Sequence, residues 1–174
     1  MADCEKILIA GFAGAGKSSF LRELKRSAPD NWRRLDDLDD LIFLNHGKGR
    51  SSLANCIEDW GWEKFRALEE QELEKWVETP GKGVLALGGG SLNEENFAGL
   101  CEKARIFLLE VNFETAWYRV SQDQERPLAQ KGENYMRFLF EKRQKVFARI
   151  PWKMTNSDET DLKALARAFW QGIP

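Results

Sequence analysis

Eight residues near the amino terminus, Gly11-Phe12-Ala13-Gly14-Ala15-Gly16-Lys17-Ser18, constrain this chain more than any other segment. They satisfy the pattern G-x-x-x-x-G-K-[ST], and their flanks are those the pattern needs. Lys6-Ile7-Leu8-Ile9-Ala10 precedes them as a short apolar run that reads as a buried strand. Ser18-Ser19-Phe20-Leu21-Arg22-Glu23-Leu24 follows with apolar residues at helical spacing. Glycines let the backbone curl so that successive N–H groups face one anion, and the start of the helix adds its partial positive charge. In such a loop the Lys17 ammonium reaches the β- and γ-phosphates and the Ser18 hydroxyl ligates Mg²⁺. Gly14, Ala15, Gly16, Lys17, Ser18 and Ser19 are therefore the expected nucleotide-binding residues. A glycine-rich turn that fits by chance is the alternative; so many constrained positions between a strand and a helix weigh against it.

The rest of the chain alternates strand-like and helix-like segments. Its 174 residues suit one compact α/β domain, and no linker or internal repeat divides them. Strands are expected at Trp32–Leu35, Gly83–Leu87, Ala104–Leu109 and near Trp152–Thr155. Helices are expected at roughly Ser51–Asp59 and Trp62–Glu78, broken at Gly61. Further helices are expected from Glu94 capped by Asn93, from Phe113 capped by Asn112, and at about Tyr135–Ile150 and Asp161–Trp170. The polar stretch from Gln122 to Asn134 fits a mobile loop better than a core element. Repeated βα units imply a parallel sheet covered by helices on both faces.

Charge and cysteine content narrow the partners. A net charge of −2 predicts no general affinity for nucleic acid or membrane. Three cysteines, odd in number and without C-x-x-C spacing, fit reduced thiols in a cytoplasmic protein. No apolar run approaches membrane-spanning length, and the first residues lack the regions of a signal peptide.

Several constellations carry chemistry. No N-K-x-D guanine-reading motif occurs, which argues against a GTPase; small size and a polar segment after the fourth βα unit favour a small-molecule kinase with a lid. Asp37 and Asp39, alternate residues at an expected strand end, could hold Mg²⁺ through water and orient an acceptor hydroxyl. Helix N-capping and dipole compensation explain the same aspartates equally well. Arg66 and Arg143 interrupt apolar helical faces, where a guanidinium needs an anionic partner. Glu63, Glu69 or Glu70 could serve Arg66; Arg143 has fewer local partners, and a bound carboxylate is a reasonable anchor. Gly88-Gly89-Gly90 ends an apolar strand at the sheet edge where α/β proteins place ligands, although a flexible connector would also account for it. His46, the one histidine, falls in a polar stretch and reads as solvated.

Taken together these pieces resemble the shikimate kinase family, in order and spacing, over nearly the whole chain. The D-x-D pair is Asp37-Leu38-Asp39. A G-x-S segment is Gly49-Arg50-Ser51, and the G-x-x-x-F-R element runs from Gly61 to Arg66. The glycine triplet ends the strand from Val84, the lid signature R-P-L is Arg126-Pro127-Leu128, and the E-x-R element is Glu141-Lys142-Arg143. The resemblance implies a P-loop NTPase fold, a five-stranded parallel sheet flanked by helices, with a substrate-binding segment at about 37–66 and a lid at about 122–134. It implies ATP as co-substrate, Mg²⁺ as cofactor, and transfer to the 3-hydroxyl of shikimate in aromatic amino acid biosynthesis, by a cytoplasmic monomer.

Residue by residue, the resemblance implies that Arg66 and Arg143 hold the shikimate carboxylate, and that Asp39 and the Gly89 backbone, within Gly88–Gly90, meet the ring hydroxyls. Asp37 orients water on a Mg²⁺ that Ser18 ligates. Arg119 stacks on adenine, and Lys17, Asp39 and Arg126 form the catalytic set, with Arg126 closing from the lid. Four positions depart from the family pattern: Trp62 stands where glutamate is usual, Ile57 where a substrate-facing phenylalanine is common, Ser19 for a frequent threonine and Phe147 for a frequent tyrosine. A related gluconate- or nucleotide-type kinase is the first rival reading, and a nucleotide-binding module without catalysis the second.

Overall fold

The computed structural model of the protein describes residues 6–123 and 129–173. Five strands form one parallel sheet in the order β2-β3-β1-β4-β5: β1 (Lys6–Ala10), β2 (Arg34–Asp37), β3 (Gly83–Ala86), β4 (Arg105–Glu110) and β5 (Lys153–Thr155). β1 is central, with Ile7 opposite Val84 on one side and Arg105 on the other. Every residue of β1 is buried, as a parallel strand covered on both faces must be.

The two-residue period of β1 divides the core. Leu8 and Ala10 face one apolar cluster, and Ile7 and Ile9 the other. The second cluster is closed by α1 (Lys17–Arg26) through Phe20, Leu21 and Leu24, and by α7 (Leu162–Gln171) through Ala166 and Phe169. On the first side lie α2 (Leu38–His46), α3 (Leu53–Glu78), α4 (Phe97–Lys103), α5 (Phe113–Ser121) and α6 (Glu133–Phe147). Parallel strands with helices on both faces are the architecture expected from the alternating pattern.

Element boundaries differ in instructive ways. Gly61 breaks α3 with φ 78° and ψ 160°, at the residue expected to break it. Asn112 caps α5, its side-chain Oδ1 accepting the Thr115 N–H at 2.8 Å. The helix expected from Glu94 begins only at Phe97: Asn93 Oδ1 accepts from the N–H groups of Glu95 and Asn96, so it caps a turn that precedes the helix. β2 starts two residues later than expected and ends at Asp37, where α2 begins at once. Of the segment expected to be a mobile loop, Ala129–Lys131 forms a 3₁₀ turn and Glu133 opens α6. The R-P-L signature, Arg126 included, lies outside the described residues. His46 is not simply solvated: it is the last residue of α2, half-buried, with Nε2 3.0 Å from Oε1 of the buried Glu72.

Candidate active site

The order β2-β3-β1-β4-β5 places the end of β1 between neighbours whose connections run in opposite directions, the crevice where open α/β sheets bind ligands. The glycine-rich loop leaves β1 there. Gly14 and Gly16 take φ 81° and 85°, in the left-handed region that glycine adopts at little cost. A Cβ at Gly14 would lie 2.6 Å from the Ala116 carbonyl oxygen, and one at Gly16 would lie 2.6 Å from Asn156 Nδ2. Lys17 Nζ donates to the carbonyls of Gly11 at 2.7 Å and Phe12 at 3.1 Å, so the ammonium is bound across its own loop.

Two residues that the sequence reading did not single out hold this loop from behind. Buried Asn156 donates to the Ala15 carbonyl at 2.7 Å. Asp158 accepts from Arg119 Nη2 at 2.7 Å and Nε at 3.2 Å, while Arg119 Nη1 reaches the Gly14 carbonyl at 3.1 Å. Both follow β5, far from the loop in sequence, and no local pattern marks them.

The acidic pair sits beside the loop. Asp37 Oδ2 accepts the Ser18 hydroxyl at 2.7 Å, and its Oδ1 accepts the Asp39 N–H at 3.1 Å. One side chain thus caps α2 and faces the phosphate-loop serine, so the two readings of the run coexist. Asp39 belongs to the first turn of α2, not to the extended backbone expected from strand alternation. Both carboxylates nevertheless line the same cavity, of about 540 Å³. Burial there, reinforced by Asp37 and Glu69, pushes the Asp39 carboxyl up to about 6, against the opposing pull of Lys17 and Arg66. Hydroxyl plus carboxylate is a hard-oxygen donor pair suited to Mg²⁺ that arrives with a nucleotide and keeps water or phosphate ligands. Among the described residues no group of three or more His, Cys, Asp or Glu could hold a metal by itself.

α3 supplies the opposite wall with Ile57, Trp62, Phe65, Arg66 and Glu69. Of the three glutamates open to Arg66, the structure selects Glu69. Arg66 Nη1 donates to Glu69 Oε2 at 2.5 Å, and Glu69 Oε1 accepts from Ser91 Oγ at 2.6 Å. Glu69 is only 4% exposed, so it is a buried carboxylate with both oxygens occupied. The glycine triplet is more than a connector. A Cβ at Gly88 would stand 2.6 Å from Glu69 Oε1 and 3.2 Å from Asp39 Oδ1, and one at Gly90 would stand 2.6 Å from Arg66 Nη2. Only bare backbone fits between these charges.

Arg143, on α6, flanks the cavity without lining it. Its Nη1 donates to the Leu92 carbonyl at 2.9 Å. Burial and the Arg66 charge lower its pKa, and Glu69 opposes them, so the two guanidinium groups stand within electrostatic reach of one another.

Comparison with known proteins identifies the family. The family model for shikimate kinase matches residues 13–173. The chain is 31% identical over 154 residues to shikimate kinase of Persephonella marina, covering 88% of this chain and 90% of that one. It is 32% identical over 171 residues to the enzyme of Lactococcus lactis subsp. cremoris, covering 95% and 98%. The chain belongs to the shikimate kinase family.

As a shikimate kinase family member it is a phosphotransferase that acts on an alcohol group. Its P-loop NTPase fold superposes on a shikimate kinase from Acinetobacter baumannii, solved in complex with shikimate, with a TM-score of 0.80 at 22% identity, covering 97% of this chain and 92% of that one. Among the described site residues the fold brings Gly14, Gly16–Ser19, Asp37, Asp39, Arg66, Gly88–Gly90 and Arg119 to one cavity, while Ala15 is buried within the loop and Arg143 is outside the lining, bound to the Leu92 carbonyl.

Proposed function

We infer that this shikimate kinase transfers the γ-phosphoryl group of ATP to the 3-hydroxyl of shikimate. The observation that carries the reading is a single cavity shared by a phosphate loop, a carboxylate beside Lys17, and an arginine braced by a buried glutamate. Each supports one requirement of the reaction: a phosphate cradle, an acceptor-orienting group and a carboxylate anchor.

Phosphoryl transfer needs little covalent help from the protein; positioning and charge stabilisation supply most of the acceleration. Lys17, bound to the Gly11 and Phe12 carbonyls, exchanges them for the β- and γ-phosphates when ATP binds. Asp39 accepts a hydrogen bond from the acceptor hydroxyl and takes its proton late, which a carboxylate with a pKa near 6 does at neutral pH. Arg66 and Arg143 hold the carboxylate; an analogue lacking it would leave Arg143 with only the neutral Leu92 carbonyl and Arg66 with only Glu69. Gly88–Gly90 let the ring approach bare backbone. Arg119 flattens against the adenine, held from behind by Asp158, and Arg126 adds charge from the lid. Ser18 and Asp37 would hold Mg²⁺, which supplies neutralisation of the β- and γ-oxygens when bound.

The same reading makes the protein a cytoplasmic monomer in aromatic amino acid biosynthesis. Unpaired cysteines support the compartment: Cys56 is buried and Cys101 exposed, both free. Among the described residues no helix is long and apolar enough to cross a membrane.

An acceptor screen with Mg·ATP tests the reading. Shikimate, gluconate and nucleoside monophosphates are offered separately and ADP release is followed. Release with shikimate alone is expected. Release with gluconate or a monophosphate instead would move the protein to a related kinase, and calorimetric shikimate binding without any turnover would make it a binding module.

A further inference from the structure

Ile57 and Trp62 both line the cavity, although five residues on an unbroken helix would turn the second about 140° from the first. The break at Gly61 resets the second half of α3. From Trp62 onward, helical spacing puts Phe65, Arg66 and Glu69 on one face. The indole meets the Phe65 ring edge to face at 5.8 Å, and the Arg66 guanidinium carbon stands 5.3 Å from the indole centroid. The same carbon stands 5.4 Å from the Phe65 centroid, the guanidinium is bound by Glu69, and a Cβ at Gly90 would meet its Nη2 at 2.6 Å. Arg66 is thus held by an ion pair to Glu69 and lies against two aromatic rings, of which the Trp62 indole is the larger.

We propose that Trp62 is the specificity-determining and positioning residue of the acceptor site: its indole holds the Arg66 guanidinium through the ring face and forms a flat apolar wall for a cyclic hydroxy acid. This rests on the acceptor being shikimate, and it supplies from position 62 the aromatic wall that Ile57 does not provide.

An ion pair to Glu69 alone restrains one nitrogen of a long side chain, and such pairs leave the rest of the guanidinium free to rotate. A π face beside the cation removes that freedom and leaves the remaining N–H groups for a ligand carboxylate. A planar indole also favours an acceptor whose ring has an apolar face. An open-chain polyol acid presents hydroxyls on every side and gains nothing from that wall. Trp62 is half-buried, so the contact is partly desolvated before any ligand arrives.

Steady-state kinetics on wild type, Trp62→Leu, Trp62→Met and Trp62→Phe, with shikimate and ATP varied separately and Tm recorded, decide the matter. Loss of the ring face in Leu and Met should raise the shikimate KM about tenfold while kcat stays within about twofold and the ATP KM is unchanged. Phe should recover to within about threefold of wild type. A shikimate KM unchanged in Leu and Met overturns the proposal, as does an equal rise in both KM values. Phe behaving like Leu and Met also overturns it, because an aromatic face would then not be the active feature. If Leu fails to fold, Met carries the comparison. A wild-type enzyme that turns over no shikimate sinks the acceptor reading, and the proposal with it, a result no variant comparison can imitate.

Discussion

The Ser18 hydroxyl donates to Asp37 Oδ2 at 2.7 Å, joining the first turn of α1 to the end of β2. The other oxygen of the same carboxylate caps α2. Asp37 therefore has a structural duty and a proposed ionic one that a single substitution can separate.

Asp37→Asn keeps a cap acceptor and removes the charge. The Mg²⁺ concentration for half-maximal activity should rise about tenfold, with Tm little changed. Asp37→Ala should show the same metal defect and lose about 1 kcal/mol of stability as the cap goes. Activity titrated against free Mg²⁺, beside thermal melts, separates the two.

Asp39 gives a pH signature of definite sign. Its folded pKa of about 6 exceeds the ordinary aspartate value of 3.8, so the folded state binds the proton more tightly than the unfolded chain. Stability therefore falls as pH rises from about 4 to 6 and stays lower above that. Asp39→Asn should raise Tm at pH 7.5, by at most about 3 kcal/mol of stability, give no gain near pH 4, and cost at least about a hundredfold in kcat. In wild type kcat should decline below pH 6. Glu69→Gln removes one of the charges that raise the Asp39 pKa, so it should move that limb to lower pH.

Arg143→Ala should weaken kcat/KM for shikimate about a hundredfold or more, because a desolvated carboxylate loses a charged partner. The ATP KM should stay within about twofold. An equal loss in both would show that the residue supports the fold through the Leu92 carbonyl and not the acceptor.

Gly90→Ala places a methyl group 2.6 Å from Arg66 Nη2, the far end of a flexible side chain. The fold should survive, with Tm within about 3 °C, while Arg66 swings away from its place between Trp62 and Glu69. The shikimate KM should then rise about tenfold with the ATP KM unchanged. A normal shikimate KM would mean that Arg66 does not work from the position it occupies here.

Local patterns in the chain were enough for the alternating βα architecture, the phosphate loop between β1 and α1, the break at Gly61 and the cap at Asn112. These depend on periodicity, glycine conformation and first-turn donors, all of which act within a few residues. The same logic misplaced the start of α4, because an asparagine that caps a turn has the composition of one that caps a helix. It also read His46 as solvated, since the buried Glu72 that meets it lies 26 residues further along.

What the sequence by itself determined, then, is the order of elements and the kinds of side chain available at the ends of the strands. Tertiary structure alone decided which of them meet: that Glu69 and not Glu63 or Glu70 braces Arg66, that Asn156 and Asp158 stabilise the phosphate loop from behind β5, and that Ile57 and Trp62 share one wall. The physical reason is range. Helix and strand signals come from neighbours along the chain, whereas burial, ion pairing and the raised Asp39 pKa arise from groups that come together only when sheet and helices close over the site.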